Sequence, residues 1–552
     1  MRVVFLRKKD KGRGQPQWYA VKKKRDGKDV FDEWEIYLGT AETILRKCKG
    51  VEPHEKVKIK SYEFGKLAAI LTIDKELGFT KIVDEITHKK RVDGLTVGEY
   101  LLITMFGRWC GPLSKKATGE YFYKSFLRFH YNIKHKVNAQ NILNHMKYID
   151  SEEMIRSISQ KLAERLVELG FTPKVLYFDT TNFFTYIEEG GKLLKPGNCK
   201  KKQFNRNLVG LGLVANEDNL PMLHETYPGN KHDSTLIPAI VGRIVERLKS
   251  LKIDPKSIAF VMDKGNNSEG NINMILNKMH LVGSLKRNQV GDLLSVELDD
   301  YELLYTNRKG HQISGYRTTL TAFGQEFTVV IRYSPATAKR QKRTYEKAKE
   351  KFLAGMEELK AKYERKGGRG RRMGQSGVIN GSKKLIHKNH ESVFKIEFDT
   401  EPKALRYWVD EGKEEELYSW FGKSAIFTDM DTWTSVQIVK TYNGLYHVEN
   451  DFHWLKDKLL IPITPMYVRK DESIRVHVFL CVIGLLFMRY FLWKLKELDL
   501  RPKELLEALE GIRVALCSYD SLKDVGLIVE EMDPLQSTIY SKFDMWRHLN
   551  MN

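Results

Sequence analysis

The spacing of hydrophobic residues changes along the chain, and each change predicts a different element. Residues 30–150 show mostly helical spacing, and Thr96 with Glu99 fits a capping box. A clear helix begins at Ser151, with apolar residues recurring every three or four positions, and Gly170 is placed to end it. The sequence therefore predicts a mostly helical N-terminal region over 1–150.

The next stretch predicts an α/β layer. Short β-rich runs occupy 175–181, 207–215 and 222–227, a helix follows at about 234–249, and a buried-type strand covers 258–264. A further helix and strand complete the run. Strands alternating with helices in this way predict the first part of an α/β core over 151–286.

The remaining chain predicts a β-rich insertion at 287–423 and a return to the core at 424–500. The insertion contains a basic stretch, 339–372, with fourteen Lys/Arg against five Asp/Glu, predicted to be a helix that ends in a flexible loop. We expect Ser435 to cap the helix that follows the insertion. A helical tail is predicted over 501–552. The apolar run Val478–Met488 is shorter than the roughly 20 residues of a membrane span and predicts a buried helix.

The charge of the chain indicates a polyanionic partner. Its net charge is +21, and the first 29 residues hold eleven Lys/Arg against three Asp/Glu. This balance favours nucleic acid first and an anionic membrane second, although no amphipathic membrane anchor is evident. The first 29 residues fit a nucleic-acid arm and a solvated tail equally well. Aromatic residues interleaved with lysines over 109–134 fit a nucleic-acid surface or a helical core equally well.

The five cysteines include no CxxC pair, which argues against a disulfide framework and a structural zinc site and suits a reducing compartment.

Two aspartates carry more specific chemistry. Asp179 follows four apolar strand residues in VLYFDTT, and Asp263 ends the buried strand of IAFVMDKGNNSEGN. Each could simply cap a turn. Sites in open α/β sheets nevertheless form at the carboxyl ends of strands.

A third carboxylate lies on a later helix. Tyr442, Glu449 and Lys456 are spaced by seven residues, so a single helix would carry all three on one stripe. With Asp179 and Asp263, Glu449 could hold two Mg²⁺ ions, which prefer oxygen ligands and promote in-line phosphoryl displacement. Lys456 would then lie beside the phosphate, and Tyr442 could contact the DNA strand.

These motifs together resemble a DDE transposase of a bacterial insertion sequence, in the group with an RNase H-like core and a β-rich insert. That group's signature is Tyr-x2-Arg-x3-Glu-x6-Lys, and here Leu445 replaces the Arg. VMDKGNNSEGNI, LPMLHETYPGN and GLTVGEYLLI also resemble family segments. The resemblance covers about residues 95–490. It implies Asp179, Asp263 and Glu449 as catalytic metal ligands, Tyr442 and Lys456 as DNA contacts, and Mn²⁺ as a substitute for Mg²⁺.

The resemblance also implies the reaction and its partners. We expect the protein to bind terminal inverted repeats, pair two DNA ends as a homodimer, cleave at each end and join the 3′-OH to target DNA, in the cytoplasm at the nucleoid. A metal-dependent nuclease and a catalytically silent DNA-binding protein remain alternatives. Lys286 and Arg287 could contact DNA where the insertion begins or be surface charges. His224, His447, His453 and His477 are expected to be structural or phosphate-contacting.

Overall fold

The first elements of the chain are strands. The third of them lies at residues 29–40, where the sequence predicts the start of a mostly helical region. A computed structural model describes residues 4–10, 12, 14–26, 29–48, 57–89, 94–111, 113–133, 137–188, 191–197, 206–365, 373–387, 390–400, 403–519 and 525–549. The first elements are β1 (Val4–Lys9), β2 (Gln17–Asp26), β3 (Asp29–Thr40), α1 (Ala41–Cys48) and β4 (Val57–Glu63). β1, β2 and β3 form an antiparallel sheet. Aromatic and β-branched residues such as Trp34 and Ile36 favour this pairing over a helix.

Helices then build the part of the core that precedes the large sheet. They are α2 (Gly65–Leu77), α3 (Phe79–Thr87), α4 (Val97–Trp109), α5 (Lys115–Lys124), α6 (Leu127–His130), α7 (Ala139–Met146) and α8 (Glu152–Glu168). The capping box of Thr96 and Glu99 is confirmed at α4, and Ser151 caps α8 as predicted. Gly170, with φ of 96°, follows the end of α8 in the left-handed conformation that glycine favours. Trp109, Phe122 and Phe126 are fully buried and form core, whereas Tyr123 is exposed.

A ten-stranded sheet runs through the centre of the molecule. The strands from residue 175 onward are β5 (Val175–Thr185), β6 (Lys195–Pro196), β7 (Asn207–Asn216), β8 (Pro221–Pro228), β9 (Ala259–Met262), β10 (His280–Ser284), β11 (Glu302–Thr306), β12 (Gln312–Ala322), β13 (Gln325–Tyr333), β14 (Phe394–Thr400), β15 (Lys403–Val409) and β16 (Lys423–Thr428). The sheet order is β11-β12-β13-β16-β10-β9-β5-β7-β6, and β8 also pairs with β7. β5, β9 and β10 are mutually parallel, whereas β7 runs antiparallel to β5.

The helices between and after these strands complete the layers. They are α9 (Ile237–Ser250), α10 (Glu269–Leu276), α11 (Arg287–Val290), α12 (Pro335–Glu364), α13 (Gln375–Leu385), α14 (Glu411–Ser419), α15 (Ser435–Asn443), α16 (Leu445–Trp454) and α17 (Asp471–Lys494). α17 is long and apolar enough to cross a membrane, but 83% of its most apolar window is buried inside the protein. The prediction that Val478–Met488 is a buried helix is confirmed.

The insertion predicted at 287–423 contributes to two different places. β11, β12 and β13 continue the central sheet through the pairing of β13 with β16. α12 to α14 and the β14–β15 hairpin instead surround a separate small core that includes Tyr345, Phe352 and Leu405. The basic stretch 339–372 is helical as far as Glu364, and the predicted loop at 366–372 lies outside the described residues.

The C-terminal segment contains strands as well as the predicted helices. Its elements are α18 (Pro502–Gly511), β17 (Arg513–Tyr519), β18 (Val525–Val529) and α19 (Pro534–Lys542). The expectation of an entirely helical tail is wrong, because β17 pairs with β4 near the other end of the chain. A strand needs a partner to satisfy its backbone groups, and that long-range partner cannot be read from local spacing.

Candidate active site

The register of three parallel strands brings two predicted carboxylates together. Phe178 on β5 pairs with Met262 on β9, so Asp179 and Asp263 are the next residues on the two strands. Neighbouring strands lie about 4.8 Å apart, and residues in register point to the same face of a sheet. On the other side of β9, Val261 pairs with Val282, which aligns Ser284 with Asp263. We call Asp179, Asp263 and Ser284 the polar row.

The segment that contains Glu449 covers the face of β5 on which Asp179 lies. Tyr177 packs against Gly444, where an added Cβ would lie 2.2 Å from the Tyr177 hydroxyl oxygen. Two residues beyond Asp179, the Thr181 hydroxyl accepts a hydrogen bond from Lys456 Nζ. Alternate residues of a strand share a face, so Asp179 lies on the same face as both contacts. Glu449 is between Gly444 and Lys456 along the covering chain, and its role at this site stays a prediction.

Tyr442 connects the polar row with Glu449. Burial, followed by the negative charges of Asp263 and Glu449, raises the pKa of the Tyr442 hydroxyl to about 12, whereas the Ser284 hydroxyl opposes this rise. A phenol with this pKa is neutral at physiological pH and can donate a hydrogen bond. Tyr442 is half-buried, whereas Glu449 is exposed to solvent.

The three carboxylates have the donor chemistry that Mg²⁺ prefers, but their side chains do not converge on one point. Asp179 accepts a hydrogen bond from the backbone amide of Thr180 at 2.7 Å, and Asp263 caps the turn at the Gly265 amide at 3.5 Å. Within the part of the chain that the structure describes, no three His, Cys, Asp or Glu side chains are placed to hold a metal ion. The type of oxygen donor and the shared face fit a divalent cation.

The single helix predicted for Tyr442 to Lys456 is wrong in detail. Tyr442 lies on α15 and Glu449 on α16, with Gly444 between the two helices, and Lys456 follows the end of α16. Gly444 keeps a helical conformation, with φ of −59° and ψ of −23°, so the break between the two helices is small. Thr434, not Ser435, caps α15 through a capping box with Gln437. Thr434 is in the extended conformation that a cap requires, which leaves Ser435 as the first helical residue.

A family comparison matches this region. The family model described as "Transposase DDE domain" matches residues 187–487, which is more than half of the chain. The chain belongs to this transposase family. The matched stretch includes Asp263 and Glu449 and begins eight residues after Asp179. A search of curated proteins found no match. Members of the family act on DNA in transposition and recombination, and they generally use divalent metals.

The two cations predicted at the start of the insertion have different surroundings in the transposase. Lys286 is exposed and precedes α11. The Arg287 guanidinium lies over the Trp420 ring, 5.0 Å from its centroid, and lines a cavity with Ser284 of the polar row. Leu445, in place of the signature arginine, is 4% exposed and packs into the core. Each residue's role in binding DNA stays a prediction.

Sequence reasoning missed Arg332 and Ser284. Arg332 on β13 donates to Asn443 Oδ1 at 3.1 Å, one residue from Tyr442. Its strand was assigned to the insertion, and its pairing with β16 brings it to the site. Only the parallel register of β10 could have indicated Ser284. The buried histidines His224 and His477 have lowered pKa values because burial disfavours their charged forms, which is consistent with structural roles.

Proposed function

We propose that this transposase cleaves DNA at the ends of its own element and joins the released 3′-OH to target DNA. The observation that carries the proposal is the register of Asp179 and Asp263 on adjacent parallel strands, with the Glu449 segment covering the same face. A DNA-acting family and three carboxylates at one sheet face together favour metal-dependent phosphoryl transfer.

The order of the central strands supports an RNase H-like core. β8, β7 and β5 form an antiparallel meander, and β9 and β10 add parallel to β5. The polar row crosses the three parallel strands, where the carboxyl ends of β9 and β10 meet the middle of β5. On this proposal the insertion follows β10 and returns to the core at β16, and its strands β11 to β13 widen the core sheet.

Each site residue has a proposed task in the reaction. Asp179, Asp263 and Glu449 would hold the Mg²⁺ ions, with Mn²⁺ as a substitute. When bound, the two ions supply Lewis-acid stabilisation of the attacking and leaving oxygens. Lys456, held by Thr181, places a cation where negative charge develops on the phosphate. Tyr442 is held neutral and can donate a hydrogen bond to a phosphate or sugar oxygen.

The two steps use one arrangement of groups. In cleavage, a water oxygen attacks phosphorus, the P–O3′ bond breaks, and a 3′-OH and a 5′-phosphate result. In joining, that 3′-OH attacks a target phosphodiester and a new 3′-OH leaves. Two ends must be held at once, which is the reason to propose a homodimer on the terminal inverted repeats. Residues 1–150 and the insertion would position the DNA.

The proposal is tested with linear DNA that carries the candidate ends of the element. Protein and Mg²⁺ are added, an EDTA reaction serves as blank, and the strands are separated on a denaturing gel. We expect cleavage at the end that Glu449→Gln abolishes while binding persists. The matched control is Glu415→Gln on α14, also an exposed helical glutamate, which should cleave like the wild type.

The products decide between this function and its alternatives. Strand joining supports a transposase, and cleavage without joining supports a nuclease derived from one. Full cleavage by Glu449→Gln would refute the three-carboxylate site. Specific binding with no cleavage by the wild type would indicate a DNA-binding protein with a silent site.

A further inference from the structure

The cavity lined by Arg287 and Ser284 has a volume of about 370 Å³ and opens beside the polar row. Ser284 of the row lines it, and Lys264, which also lines it, directly follows Asp263. The cavity lies between the ends of β10, β13 and β16 and the first turns of α12. Its volume is many times the ~30 Å³ that one water occupies in the liquid. We call it the basic cavity because five of its lining side chains are cationic: Lys264, Arg287, Arg332, Arg340 and Lys423.

The cations of the basic cavity form no salt bridges within the described part of the chain. None of its lining residues is Asp or Glu, and none of the five cations forms a salt bridge with any residue that the structure describes. Lys423 Nζ instead donates to the carbonyl oxygens of Leu294 and Val296 at 2.9 and 2.6 Å. Like charges that face one cavity repel each other, so this arrangement favours a bound anion.

Arg332 is the second observation that points to a ligand. Its guanidinium uses one nitrogen to hold Asn443 Oδ1, and its Nε is inaccessible to solvent with no hydrogen-bond partner among the described residues. Buried polar atoms are nearly always paired, so the unpaired guanidinium N–H is a donor that a bound group or a water would satisfy. Arg287 is held by stacking on Trp420, which leaves its N–H groups available.

The position of the basic cavity identifies the anion. It is joined to the candidate active site through Ser284, which lines the cavity and belongs to the polar row. DNA bound with one phosphate at the polar row must carry its neighbouring phosphates away from that point, and arginine forks match phosphate oxygens. We propose that the basic cavity binds the phosphates adjacent to the cleaved bond on the same DNA strand. This inference rests on the proposed function.

The test uses DNA ends in which one phosphate at a time is replaced by an uncharged methylphosphonate. Affinity is measured without Mg²⁺, so that no cleavage interferes. For the wild type we expect one or two positions beside the cleaved bond to weaken binding about 10-fold, the loss of one charged hydrogen bond. In the Arg287→Ala/Arg340→Ala variant the same replacements should change affinity less than about 2-fold.

Two further variants keep the result interpretable. Arg343 lies one turn beyond Arg340 on α12, is exposed and does not line the cavity. The Arg343→Ala variant should therefore respond to the methylphosphonate replacements like the wild type. Arg340→Ala alone changes an exposed side chain near the start of α12 and replaces the double variant if that variant unfolds. If the double variant and Arg340→Ala both respond like the wild type at every position, the inference is wrong.

A free anion is the competing occupant, and pyrophosphate is the probe for it. Pyrophosphate that binds the wild type in an arginine-dependent manner, with no phosphate position of DNA depending on Arg287 or Arg340, would overturn the assignment to a DNA strand. Cleavage of unmodified DNA is measured separately in Mg²⁺. A wild type that shows the phosphate pattern but no cleavage would refute the proposed function, and the pattern would then show only that the basic cavity contacts DNA phosphates.

Discussion

Two basic regions of the molecule differ in whether their cations are paired with carboxylates. In the N-terminal sheet, Arg7 pairs with Asp32 at 2.6 Å, Lys9 with Glu35 at 2.6 Å and Lys22 with Glu33 at 2.5 Å. In the basic cavity, none of the five cations forms a salt bridge with a carboxylate among the described residues. The N-terminal region has the higher charge density in sequence, yet its facing strands neutralise much of it. Density of charge along a chain therefore does not show where an anion binds.

The largest expected effect is on the cleavage rate. It compares the loss of a carboxylate in the polar row with the loss of a carboxylate in the N-terminal sheet. Asp263→Asn should lower the cleavage rate by at least ~10³-fold, because metal coordination supplies several kcal/mol of transition-state stabilisation. Asp32→Asn, which removes a carboxylate that only pairs with Arg7, should leave cleavage unchanged. Single-turnover cleavage at saturating protein measures both. Equal cleavage rates for the two variants would show that Asp263 matters no more for cleavage than Asp32 does.

Two arginines on α9, which pack against β8, extend the comparison to stability. Arg243 pairs with Glu225 and Arg247 donates to the Met222 carbonyl, beside the His224 ring that stacks on Phe479. Burial and the two arginines lower the pKa of His224 to about 3. The folded state therefore favours neutral His224. Its contribution is complete above the unfolded pKa of about 6.5 and is lost as the pH falls toward 3.

This linkage predicts a loss of about 3 kcal/mol in unfolding free energy between pH 6.5 and pH 4. His224→Phe keeps a ring for the contact with Phe479 and removes the titration, so its stability should fall less over the same range. Urea unfolding at several pH values measures the difference. Parallel curves for the two proteins would show that His224 does not cause the pH dependence.

The proposed site also requires that the segment containing Glu449 stay packed against β5. A substitution at Gly444 tests this requirement. Gly444→Ala would bring a Cβ within 2.2 Å of the Tyr177 hydroxyl and should cost about 2 kcal/mol through overpacking. Gly242→Ala on α9 meets no atom within 4 Å and should be neutral or slightly stabilising. Thermal melts give the stability difference. Cleavage by Gly444→Ala at the wild-type rate would show that Glu449 does not depend on this contact.

The smallest effect concerns salt. Each phosphate neutralised by a cation contributes about −0.9 to the slope of log affinity against log salt concentration. Arg287→Ala/Arg340→Ala should therefore make the slope less steep by about 2, whereas Arg7→Ala/Lys9→Ala should leave it unchanged. Binding titrations between low and moderate salt measure the slopes. An equal decrease in both variants would mean that the N-terminal cations also contact phosphates.

Much of the candidate site could be predicted because its signals are local. Asp179 and Asp263 follow apolar strand residues, and Glu449 is flanked by Tyr442 and Lys456 at fixed spacing. Each signal needs only a few neighbouring residues. The basic cavity could not be predicted, because Lys264, Arg332 and Lys423 come from distant parts of the chain and meet only when β13 pairs with β16. The strands β4 and β17 were missed for the same reason.

The attachment of the insertion through β13 has a mechanical consequence. α12 begins directly after β13, and β13 is hydrogen-bonded to β16, which is hydrogen-bonded to β10 and so to β9 and β5. A force on α12 is therefore transmitted through the backbone hydrogen bonds of the sheet to β9, which precedes Asp263, and to β5, which contains Asp179. On the proposed function, a force that bound DNA exerted on the insertion would therefore act on the strands of the polar row.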